Sequence, residues 1–188
     1  MANSSRATLI KIHVILAAFV FPAALMFIVT GAFYTWGIKG SYDSQSHVIA
    51  LEQPLQGDQQ RMSTLVEREL TQRSIALPSG QSKIKKAGTS YQLEWTGSKR
   101  DVLLEPTADA LQAKLTIKET TWYRNLVQLH KAKGGEAFKV FAAILAIALF
   151  LILLSGFIMA WQMPNYRKLA AVCTSAGVVA FVVMVGVS

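Results

Sequence analysis

Three histidines carry most of the chemistry open to this chain of 188 residues. His13 stands at the start of a long apolar run, beside Lys11. His47 follows that run, and His130 precedes a second one in WYRNLVQLHKAKGGE. Imidazole ligates haem iron, and electron-transfer haems commonly take two axial ligands from the protein. The plainer reading of such a residue is an interfacial polar side chain. For His130, among charged neighbours, it is a cap ahead of the following helix. Cysteine chemistry does not compete. Cys173 is the single cysteine, so the chain can form no disulfide framework or cysteine-based metal motif within itself. It lies in an apolar run, where a thiol packs as a small apolar group. Walker, GxSxG and HExxH patterns are absent from the sequence.

Two stretches end alike. Residues 28–36 read IVTGAFYTW and residues 153–161 read LLSGFIMAW, each with a hydroxyl residue, Gly, four residues and Trp. Trp is favoured at a bilayer interface. Gly beside Thr or Ser lets helices approach closely. Gly31 and Gly156 therefore mark a helix-packing face, and a small face of this kind also leaves room for a flat macrocycle.

The elements that must position these residues follow from charge. No Asp, Glu, Lys or Arg occurs in Val14–Ile38, Val140–Tyr166 or Leu169–Ser188. About 20 apolar residues cross a bilayer as a helix, so three transmembrane helices are expected, consistent with a hydrophobic fraction of 52%. The first run exceeds the roughly 7–15 residues of a cleavable signal core and reads as an uncleaved anchor. Pro22 is expected to bend it. Residues near span ends set topology. Arg6, Lys11, Arg167 and Lys168, the last two read as a tight turn between spans, oppose Lys39, Lys131, Lys133 and Lys139. The tight turn decides for a cytoplasmic N-terminus. Carboxylates fall only in the middle segment and its flanks, so no proton or cation path shows inside the spans. No Arg-rich run is interleaved with aromatics, which argues against nucleic acid.

The middle segment reads as a small α+β module. DQQRMSTLVERELTQRSI places Met62, Leu65, Val66, Leu70 and Ile75 near one helical face. Pro78 and Gly80 break the chain. KIKKAG, SYQLEW, DVLLEP and ALQAKLTIKE then read as antiparallel strands with turns at Thr96–Lys99 and Pro106–Asp109. The expected division is residues 1–38 for the N-terminus and first span, and 39–121 for the soluble domain. Residues 122–166 hold an interfacial segment and the second span, and 167–188 the third span. A domain this small sits near the lower size for a stable core.

The order of these features, with Thr30-Gly31-x-x-x-x-Trp36 closing the first span and Trp122-Tyr123-x-x-Leu126-x-x-Leu129-His130 introducing the second, resembles the PepSY-associated transmembrane proteins over about residues 7 to 163. The resemblance implies a PepSY-like extracytoplasmic domain in a bacterial inner (cytoplasmic) membrane protein. Larger members double the span–domain–span arrangement. Some are ferric-siderophore reductases with two b-type haems held by histidines in the spans, and His13 and His130 match ligand positions of one such arrangement. This chain departs from them in having a single arrangement and a third span without histidine.

A helix rises about 1.5 Å per residue, so a full span puts the two histidines about 30 Å apart, too far to share an iron. Each haem b would need a second imidazole, from a twofold homodimer or from another membrane protein. The expected function is transmembrane electron transfer supporting periplasmic reduction of ferric-iron type, with the donor a separate molecule. The alternative is a non-catalytic accessory subunit whose domain binds or inhibits a partner.

Overall fold

In the computed structural model, which describes residues 2–188, the charge-free runs become long helices. Helix α1 spans Ala2–Thr35 and continues through Pro22. After it come strand β1 (Tyr42–Ala50), helix α2 (Gln59–Gln72) and strands β2 (Ser82–Ala87), β3 (Ser90–Thr96), β4 (Arg100–Pro106) and β5 (Gln112–Thr120). The chain ends in helices α3 (Trp122–His130), α4 (Gly135–Gln162) and α5 (Pro164–Val187). Arg6–Thr35, α4 and α5 are long and apolar enough to cross a membrane, and the chain is a multi-pass α+β membrane protein. Arg167 and Lys168 lie within the first turns of α5 rather than in the connection, because Pro164 starts that helix two residues after α4 ends. Proline fits a first helical turn, where its missing N–H costs nothing.

Two compact units share the chain, one formed by residues up to Ala24 with Ile144–Ser188 and the other by Leu25–Ala143. In the first, Val20 of α1 and Leu145 and Ala148 of α4 are buried, whereas α5 has no buried residue.

The second unit holds a five-stranded antiparallel sheet in the order β1-β5-β4-β3-β2. The helix–meander pattern expected from sequence is present, with one strand more. Residues 42–50, read as the loop after the first span, form β1 and pair with β5 from Tyr42↔Thr120 to Ala50↔Gln112. Helix α2 begins where Asp58 accepts the Arg61 N–H at 3.1 Å, satisfying a donor that helix geometry leaves free. Its spacing puts Met62, Val66 and Leu70 on one buried face against Leu93, Trp95, Val102, Leu104, Leu115 and Ile117. Leu65 and Ile75, expected on that face, pack at its margin. Full burial of each leucine contributes about 1.5–3 kcal/mol. The indole N–H of Trp95 donates to Gly80 O at 2.7 Å, tying the break after α2 to β3.

The second unit also carries an aromatic band. Trp36 and Trp122 are 85% and 78% exposed, and the Lys39 and Lys131 ammonium groups stand 5.2 and 5.6 Å from the Tyr34 ring centroid. Exposed Trp with flanking lysine is the composition of a membrane–water boundary.

Candidate histidine sites

Each of the two histidines singled out by sequence sits against one copy of the hydroxyl–glycine repeat. His13, on α1, places Nδ1 2.8 Å from Ser155 Oγ of α4. A methyl group added at Gly156 would meet His13 Cε1 at 3.6 Å. The roles of the two chain regions exchange in the other unit. His130, the last residue of α3, places Nδ1 2.9 Å from Thr30 Oγ1 of α1. A methyl group at Gly31 would meet His130 Cε1 at 3.1 Å.

The helical repeat explains the cradle. Phe27, Thr30 and Gly31 recur at positions i, i+3 and i+4, so they share one face of α1. The Phe27 ring lies 5.2 Å from the imidazole centroid and 6.4 Å from Phe138 of α4. Thr30 is 1% exposed and donates its hydroxyl proton to Met26 O at 2.6 Å. Ser155 likewise donates to Ile152 O at 3.0 Å. Such back-bonding satisfies a hydroxyl inside a helix. Both histidines are half-buried, and neither Nε2 has a hydrogen-bond partner among the described residues.

Gly31 and Gly156 were expected to pack helix on helix. The space each leaves open is faced by an imidazole ring. The side chains that sequence reasoning passed over are the hydroxyls of Thr30 and Ser155 as histidine partners, and Phe27. The repeat itself was their only signal.

His47 stands apart. It is half-buried in β1, opposite Leu115 of β5. Among the described residues no group of three or more His, Cys, Asp or Glu side chains converges as a metal cluster. Axial ligation of haem requires no such cluster, because the macrocycle supplies the equatorial donors.

A polar anchor holds α3, and with it His130, to the sheet. Gln128 is fully buried. Its Nε2 donates to Asp101 Oδ2 at 3.1 Å, Tyr42 Oη at 3.1 Å and Gly97 O at 3.3 Å. Tyr42 donates to Asp101 Oδ2 at 2.6 Å and accepts from Arg124 Nη2 at 2.8 Å. Gly97 N–H donates to Asp101 Oδ1 at 3.1 Å, and the Lys133 ammonium lies 3.7 Å from the same oxygen. Desolvation, then the bond to Asp101, raises the Tyr42 pKa above its ordinary 10.0, against the lowering effect of Arg124. Desolvation lowers Lys133 from its ordinary 10.5 and outweighs the raising effect of Asp101. Gln128 Oε1, Arg124 Nε and Asn125 Oδ1 are buried without a partner among the described residues. The anchor is therefore held by the bonds that converge on Asp101 and Tyr42.

No curated protein and no solved structure matches the chain significantly. The profile of a family described as PepSY-associated TM region matches residues 1–163.

Proposed function

The chain belongs to the PepSY-associated transmembrane family, and on that premise we propose that it is a haem-binding electron-transfer component of a bacterial inner membrane, supporting periplasmic reduction of a ferric-iron-type acceptor. The observation that carries this reading is the pair of cradles. His13 and His130 each have Nδ1 engaged by a hydroxyl, a glycine beside the ring, and Nε2 without a partner among the described residues. His13 and His130 would each supply one imidazole ligand to a haem iron, and a ligating imidazole is ordinarily oriented by a hydrogen bond at its other nitrogen. Bound haem would supply one-electron redox chemistry. The protein's residues would orient the imidazoles, and the aromatic band would hold the domain at the membrane boundary. The second axial imidazole would come from a twofold mate or from another membrane protein, because His47 lies in the sheet.

A test follows from colour. The full-length protein, purified in detergent from haem-replete cells, is expected to show a b-type absorption band. His13→Ala and His130→Ala should each remove part of it, and the double variant all of it. In a twofold dimer the content would be one haem per polypeptide. A colourless wild-type preparation refutes the haem reading.

One observation favours the second reading, a non-catalytic accessory subunit. Helix α5 is apolar yet has no buried residue, as suits a helix that packs against other membrane proteins. The colourless preparation is the result this reading expects.

A further inference from the structure

We infer that Thr30 and Ser155 are positioning residues that fix His130 and His13 in the Nδ1–H tautomer, reserving both Nε2 atoms as bare lone pairs. The inference rests on the haem reading only for the identity of the electron-pair acceptor that Nε2 would meet.

The argument is an accounting of protons. A hydroxyl has one. Thr30 spends it on Met26 O, at 2.6 Å, one helical turn back. Its oxygen lies 2.9 Å from His130 Nδ1 with lone pairs to offer, so the hydrogen between them belongs to the ring. Ser155 repeats the pattern, donating to Ile152 O at 3.0 Å and meeting His13 Nδ1 at 2.8 Å. The opposite assignment would send each hydroxyl proton to Nδ1 and put the ring proton on Nε2. That nitrogen has no acceptor among the described residues. In the Nδ1–H form every proton at the site has an acceptor, the hydroxyl's on a carbonyl and the ring's on the hydroxyl oxygen. The Nδ1–H form leaves only a lone pair unused.

The two instances are independent. They lie in different units, 100 and 142 residues apart in sequence between partners. In both the hydroxyl precedes the glycine that faces the ring. A residue kept only to fill space would be replaced by valine without consequence. A residue that fixes a proton would not.

The experiment uses the full chain with its histidines labelled with 15N, prepared haem-free in detergent, and long-range 15N–1H correlation spectra. His13 and His130 are expected to show Nδ1 protonated and Nε2 bare. Histidine in water prefers the reverse. Thr30→Val should return His130 alone to the Nε2–H form and Thr30→Ser should restore it. Ser155→Ala should release His13 alone and Ser155→Thr should restore it. Wild-type Nε2–H signals at both rings, or tautomers unmoved in Thr30→Val and Ser155→Ala, would overturn the inference. Should one variant fail to fold, the other arm still decides, since the two sites share no residue. A preparation that never takes up haem but shows Nδ1–H at both rings refutes the haem reading and sustains this one.

Discussion

Alanine at Gly31 and alanine at Gly156 are chemically the same change in matching copies of the repeat, yet they should have opposite consequences. At Gly31 the new methyl would stand 3.1 Å from His130 Cε1, and at Gly156 3.6 Å from His13 Cε1. Carbon atoms are at ease about 3.5–4.0 Å apart, so the first contact demands a retreat of roughly 0.4 Å or more and the second none. The imidazole of His130 has little freedom to retreat, with Phe27 at 5.2 Å and Thr30 Oγ1 at 2.9 Å on Nδ1. Overpacking costs about 1–3 kcal/mol, and a weakened hydrogen bond adds up to about 1 kcal/mol. Replacing glycine by alanine in a helix returns about 1 kcal/mol. Gly31→Ala should therefore lose up to about 3 kcal/mol, and Gly156→Ala should be neutral or gain up to about 1 kcal/mol. Thermal unfolding in detergent, followed by circular dichroism, reads the difference as an ordering of midpoints: Gly31→Ala below wild type, Gly156→Ala at or above it. At about 2–4 °C per kcal/mol for a chain of this size, the two variants should differ by several degrees. Equal losses, or a greater loss at Gly156, would show that the rings do not occupy the glycine faces as described.

Three other outcomes are expected. Asp101→Ala removes the acceptor shared by Tyr42, Gln128 and Gly97; it should cost about 3 kcal/mol, measured as a lower thermal midpoint, with a smaller loss in Asp101→Asn. Alkali should loosen the same anchor, because a folded-state pKa raised above 10.0 at Tyr42 gives stability that is complete below pH 10 and lost as pH rises through the folded value. Lys133, lowered from 10.5, acts the other way just below that pH, so Tyr42→Phe should flatten or reverse the alkaline decline in a pH series of unfolding midpoints. Ala132, two residues after His130, has φ of 57°, a left-handed conformation that costs a side-chain-bearing residue about 1–2 kcal/mol; this exceeds the roughly 0.5–1 kcal/mol of chain entropy that glycine brings, so Ala132→Gly should raise the unfolding midpoint.

Legibility in the sequence tracked the range of the interaction. The spans were plain because the absence of charge over 20 residues is a local property of the chain. The core face of α2 and the strand segments of β2, β3, β4 and β5 were readable for the same reason. Strand β1 was not. In YDSQSHVIA the residues before His47 are polar on both faces, and only Ile49 is buried. An edge strand with so little apolar surface is specified mainly by its ladder with β5, some seventy residues later in the chain, and no local pattern announces such a pairing. The histidine cradles were half legible. The repeated hydroxyl–glycine pair was visible in both spans and the histidines were visible as candidates. Nothing local joined them, because each contact spans 100 residues or more.

Helix α3 serves two ends at once. One face of it enters the sheet through Arg124 and Gln128, and its last residue delivers the imidazole to Thr30. A nine-residue helix is marginal in isolation, so its position is set by what holds it. Asp101 is the residue on which that hold converges: it receives Tyr42 from β1, Gln128 from α3 and the Gly97 N–H from the β3–β4 turn. Any ligand or partner that displaces this carboxylate would act on the seat of His130 through one short helix. A lesion at Asp101 should therefore reach the His130 tautomer as well as stability, while leaving His13 on its serine.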